Sequence, residues 1–131
     1  MRPWPSQKYN QNAANQSVTT TTETAVGTVT APSMQSIDGT ILIEAGVSVS
    51  VVGTSATAVR VNIYRGGITG TLIGSAETQN VTAAGTAVVG VQVADQPGVE
   101  LAGQLYTCSV VFTAATGNST IDNVSLSATV S

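Results

Sequence analysis

The side chains that could do chemistry in this chain are few. There are seven carboxylates, four basic groups, one thiol and no histidine in 131 residues. Histidine is the side chain that changes charge near neutral pH, and its absence removes the commonest general base and metal ligand. No Ser-His or Cys-His pair can be assembled, so the usual activated nucleophiles are excluded. Cys108 falls on the apolar side of the run Tyr106-Thr107-Cys108-Ser109-Val110, which predicts a buried, inert thiol that forms no intrachain disulfide. A carboxylate pair of the glycosidase kind would have to come from Asp95 and Glu100, which flank a turn, or from Asp38 and Asp122, expected in loops. Loop carboxylates are solvated, and nothing in their spacing brings two together. Zinc needs Cys or His clusters, and the three aspartates have no calcium-loop spacing. The residues therefore predict no catalytic group, no cofactor and no metal. Four Asn-x-Ser/Thr sequons, at Asn15, Asn80, Asn118 and Asn123, are explained by the abundance of Ser and Thr.

The charge pattern narrows the partners. Arg2, Lys8, Arg60 and Arg65 form no dense patch, and the formal net charge is −3, which argues against nucleic acid. No run approaches the ~18 apolar residues of a spanning helix, and no basic amphipathic helix is present, which argues against a membrane. Met1-Arg2-Pro3-Trp4-Pro5 has no apolar export segment, so assembly in a cytoplasm is expected.

The elements that carry these residues are strands. In Gly39–Val51 the odd positions are almost all apolar, whereas the even ones include Glu44, Ser48 and Ser50. A period of two marks a strand with one face on a core. Val59–Arg65 repeats the pattern and is broken by Gly66-Gly67 and Gly70. Further strands are predicted over 71–78, about 86–94, 104–113 and 120–130. Their inward sets are Tyr106, Cys108, Val110 and Phe112, then Val124, Leu126, Ala128 and Val130. Asp95-Gln96-Pro97-Gly98 and Thr116-Gly117-Asn118 read as turns. Seven or eight short strands without a helical period predict an all-β, antiparallel jelly-roll or β-sandwich domain over residues 24–131.

Residues 1–23 differ. They are rich in Pro, Gln, Asn and Thr and poor in aliphatic residues, so they read as an extended N-terminal arm ordered by docking on something else. Trp4, between two prolines, and Tyr9 are its candidate partner-anchoring residues, because Trp and Tyr carry much of the energy of interfaces. The competing reading has both folding back onto their own sandwich. With every core strand expected after residue 24, removal of residues 1–16 is expected to leave the domain folded.

From about residue 24 onward the pattern resembles small jelly-roll modules of tailed-phage virion proteins: capsid decoration proteins, head fibres and fibre tips, similar in shape to the tumour-necrosis-factor-like fold. The resemblance is carried by Val59–Arg65 with Gly70-Thr71-Leu72-Ile73-Gly74, by Val91–Gly98, by Tyr106–Val110, and by Val124-Ser125-Leu126-Ser127-Ala128. It implies a structural virion-surface protein, a capsid decoration or cement protein or a fibre knob, that attaches through its arm to a major capsid or other virion protein, with host-surface glycan as a further partner. Such modules share no active site, so no functional residue is carried over. Low charge and many small Thr, Ser and Val faces also predict a homo-oligomer, with a trimer as the expected order. Two rivals stand beside this reading. One is a subunit of an extracellular filament or pilus that donates residues 17–30 as a strand. The other is a carbohydrate-binding module using Tyr64 and Tyr9, the obvious aromatics outside the core.

Overall fold

The computed structural model of the chain describes residues 6–12, 16–18, 23–32, 39–51, 58–78, 85–96, 103–112 and 119–130. They form strands β1 (Ser6–Asn12), β2 (Gln16–Val18), β3 (Thr24–Thr30), β4 (Ile41–Val51), β5 (Val59–Arg65), β6 (Thr71–Glu77), β7 (Gly85–Asp95), β8 (Leu105–Phe112) and β9 (Ser119–Val130). All pairings are antiparallel. One sheet runs β1-β9-β4-β7, with β2 also on β9, and the other runs β3-β8-β5-β6.

The alternation explains which face of each strand is buried. Ile41, Ile43, Ala45, Val47 and Val49 of β4 pack inward, as do Val59, Val61 and Ile63 of β5. Tyr106, Cys108, Val110 and Phe112 of β8 meet Val124, Leu126, Ala128 and Val130 of β9 in the same core. Every inward set expected for these strands is buried. Strands with one apolar face have to be covered on that face, and two such sheets cover each other. The flank between β6 and β7 closes tightly: a Cβ on Gly74 would sit 3.2 Å from the Cβ of Val93 in the opposite sheet. At the β5–β6 hairpin, Gly66 has a φ of +86° and the Gly70 amide donates to the Gly67 carbonyl at 2.8 Å. A Cβ on Gly70 would collide with the Arg65 carbonyl, so this turn requires glycine there.

β1 and β2 lie on successive stretches of one β9 edge, opposite 124–130 and 119–121 respectively. Counted as one interrupted strand, they give eight strands. One sheet then has the order first-eighth-third-sixth and the other second-seventh-fourth-fifth. That is the double Greek key of a jelly roll. The expected boundary at residue 24 consequently differs from the observed topology. The stretch Ser6–Asn12 supplies the roll's first strand, seven residues in register with β9. The physical reason is that a ladder is made by backbone groups, so a polar segment without an aliphatic alternation can complete it. The turns expected at 97–98 and 116–118 lie outside the described residues.

This topology reverses the expected result of truncation. Removing residues 1–16 strips the outer edge of β9 over 124–130. At roughly 1 kcal/mol net per ladder hydrogen bond, the loss should reach several kcal/mol. Urea unfolding of the truncated and intact chains measures it, and an unchanged midpoint would show that β1 contributes nothing to the roll.

Candidate functional site

Three carboxylates sit in built hydrogen-bond clusters, and two of them had been expected in or beside loops. Asp95 ends β7, Arg65 ends β5, and Tyr106 lies in β8 as the register partner of Arg65. The Arg65 guanidinium donates through Nε to Asp95 Oδ2 at 2.9 Å and through Nη2 to Oδ1 at 2.5 Å. The Tyr106 hydroxyl donates to the same Oδ2 at 2.6 Å. This clasp ties the β7 end of one sheet to the β5–β8 pair of the other. Burial alone would raise the Asp95 carboxyl, but the guanidinium and the phenol outweigh it and hold it below the usual carboxylate range. Burial and the Asp95 carboxylate push the Tyr106 hydroxyl far up, so it stays a donor at all ordinary pH.

The second cluster lies on the outer face of the β3-β8-β5-β6 sheet. Glu23 Oε2 accepts from Ser109 Oγ at 2.5 Å, Tyr64 OH at 2.7 Å and Asn62 Nδ2 at 2.9 Å. Ser109 and Asn62 are buried although they point away from the core. Burial raises the Glu23 carboxyl, and these three donors together with the nearby Arg60 charge bring it below its ordinary value. The Oδ1 of Asn62 is buried without a hydrogen-bond partner. In the third cluster, Asp122 accepts from Ser50 Oγ at 2.5 Å and Thr120 Oγ1 at 2.8 Å. Asp122 is therefore a β9 residue bonded to β4 and not a loop carboxylate. These side chains can fasten strands to one another; each carboxylate is directed at protein donors.

The residues expected to anchor a partner fall differently. Trp4 lies outside the described residues. Tyr9 lies in β1, its backbone opposite Ser127 of β9. Tyr64 is half-buried and hydrogen-bonded to Glu23, which pushes its hydroxyl up. Cys108 is fully buried, and burial pushes its thiol up to about 12. No three His, Cys, Asp or Glu side chains converge on a metal-sized site among the described residues. No helix there is long and apolar enough to cross a membrane.

What remains for contact is surface. The outward face of the β1-β9-β4-β7 sheet carries the exposed Glu44 and the Ser50–Asp122 pair, and otherwise includes Gly46 and Ser48 of β4, Ser125 of β9, and Thr86, Val88, Gly90, Gln92 and Ala94 of β7. Small uncharged side chains of this kind let another protein approach closely. Sequence reasoning missed Glu23 and the Arg65–Asp95 pair because the Glu23 partners are 39 to 86 residues away along the chain and Arg65 is 30 residues from Asp95.

No protein-family model matches the chain, and no curated protein does. Solved structures are similar in fold. A chain of the infectious bursal disease virus Gx strain superposes with a TM-score of 0.65 at 12% identity, covering 95% of this chain and 32% of the viral one. A chain of the T13 particle of the same virus gives 0.66 at 10% identity, covering 95% and 31%. Latent dimeric PorU from Porphyromonas gingivalis gives 0.59 at 11% identity, covering 95% and 13%. The chain thus spans about a third of the viral chains it matches. Its fold is that of a β-sandwich found in virus-particle proteins, and at such identities the likeness is one of fold.

Two results follow from the clusters. A carboxyl with a depressed folded-state value contributes stability above its unfolded value of about 4, and that contribution is lost as pH falls through the folded value. Stability should therefore drop below about pH 4, with Asp95→Asn flattening part of the slope and Glu23 accounting for much of the rest. At neutral pH, Asp95→Asn should cost about 2 to 3 kcal/mol, less than a fully buried pair because Arg65 stays 31% exposed. Urea unfolding at a series of pH values reads both. Separately, Cys108 in the native chain should resist a bulky thiol reagent at pH 8 and react at once in denaturant. Fast native labelling would mean that the β8 face is solvent-accessible.

Proposed function

We propose that the chain is a structural, non-catalytic subunit of a virus particle, of the surface-module type found on tailed phages, displaying its jelly roll outward. The observation that carries this reading is the strand order, a complete double Greek key in which the Asp95, Glu23 and Asp122 clusters fasten strands together. The likeness to virus-particle chains supports it, as does the small, sparsely charged outer face. In this role the roll cements or decorates a shell built by a major capsid protein, resides on the virion surface, and self-associates, with a trimer as the expected order. Host-surface glycan is a secondary partner. Because β1 belongs to the roll, the anchoring part of the arm is the segment ahead of Ser6, with Trp4 as its anchor.

The test is recovery from particles. The chain should sediment with purified virions of its source at a stoichiometry fixed to the capsid protein, and mass spectrometry of the particle fraction should find it. Trp4→Ala should leave the unfolding midpoint unchanged and weaken attachment by roughly 2 kcal/mol, about 30-fold. Absence from purified particles would sink the virion reading, and attachment unaffected by Trp4→Ala would end the anchor.

A further inference from the structure

A sheet edge presents unpaired backbone donors and acceptors, and proteins blunt such edges with short strands, Lys or Pro, or bulges. Among the described residues the sandwich has edge strands that differ in this respect. β1 is seven residues long and carries Lys8. β3 is seven residues long and its register is broken between Ala25 and Gly27. β6 is seven residues long, ends on Glu77, and faces a register shift between Ile63 and Tyr64. β7 has none of these devices. It runs eleven residues, about 37 Å, in unbroken register with β4, and no described strand pairs with its other edge. It contains no Lys, Arg or Pro. Its single charge, Asp95, is at the end of the strand and held by Arg65 and Tyr106. Its outward side chains, Thr86, Val88, Gly90, Gln92 and Ala94, are all exposed and uncharged, and Val88 is 76% exposed.

We propose that the outer edge of β7 is an interface for a second copy of this chain, joined antiparallel β7 to β7 about a twofold axis. The strand is well matched to a second copy of itself. An antiparallel self-pair has equal length on both sides and no register break; at full length Asp95 stands across from Gly85 and every other pair is made of Thr, Val, Gly, Gln and Ala, so no like charges meet. The result is a continuous sheet of order β1-β9-β4-β7-β7-β4-β9-β1, in which Val88 on the outer face gains Gln92 of the second copy as its cross-strand neighbour. A twofold contact at this edge is separate from any threefold contact and from the segment ahead of Ser6. The inference goes beyond the virion reading and does not require it.

The experiment uses the full chain and Val88→Lys, which adds the charge that natural edges carry, with Val88→Thr as the neutral strand-forming control. Native mass spectrometry and hydrogen exchange are followed over a hundredfold range of concentration. Even-numbered oligomers are expected to appear as concentration rises, with alternate β7 amides gaining protection in step. Val88→Lys should weaken that association at least tenfold without lowering the unfolding midpoint, and Val88→Thr should associate like the parent chain. If β7 amides exchange at the same rate at every concentration, or if an oligomer forms whose protection lies at β1, β3 or β6, the proposal is overturned. The same holds if β7 becomes protected only when a different protein is added. A chain that attaches to particles yet leaves β7 unprotected keeps the virion reading and removes this one.

Discussion

Everything in this sandwich depends on β9 being paired on both of its edges. The last strand carries β4 on one side and β1 and β2 on the other. Its inward residues Ile121, Val124, Leu126 and Ala128 are buried against the opposite sheet. The constraint is that of backbone satisfaction: a strand in the middle of a sheet is secure only when both rows of its donors and acceptors are met. A polar segment from the other end of the chain meets one of those rows. The eighth strand of the roll thus gives the first its place, and the first completes the eighth.

Around that ladder the polar clusters work as fasteners between parts the core alone would leave free to slide. The Asp95 clasp joins the two sheets at one end, where β5, β7 and β8 come together. Glu23 pins the start of β3 across β8 to β5 on the outer face. Asp122 stitches β9 to β4 on the opposite outer face. In each case a carboxylate gathers two or more donors, and a charged acceptor makes stronger hydrogen bonds than a neutral one. That is how a chain with few charges can use Glu23, Arg65, Asp95 and Asp122 as structure.

Much of the roll was legible because period-two alternation is a local signal. In β4, β5, β8 and β9 the aliphatic residues recur every second position, and each inward set could be read without knowing its neighbour. β1 was not legible, since Ser-Gln-Lys-Tyr-Asn-Gln-Asn has no such alternation and its pairing is made by backbone to a strand more than a hundred residues away. Asp95 looked like a turn carboxylate because Pro97 and Gly98 follow it, whereas Arg65, the group that holds it, belongs to another strand. Asn62 fitted an outward, solvated position by parity, yet Glu23 lies over it. Pairwise facts of this kind are absent from any local window of the sequence.

The pairing of β1 with β9 places Ser6 opposite Val130, so the two ends of the roll leave it side by side on one sheet. A pull applied through the segments before Ser6 and after Val130 would open this ladder like a zipper, loading one hydrogen bond at a time. Strands drawn apart lengthwise share the load across all their bonds, and these would not. The roll is therefore mechanically soft along its own ends and far stiffer when gripped through its faces.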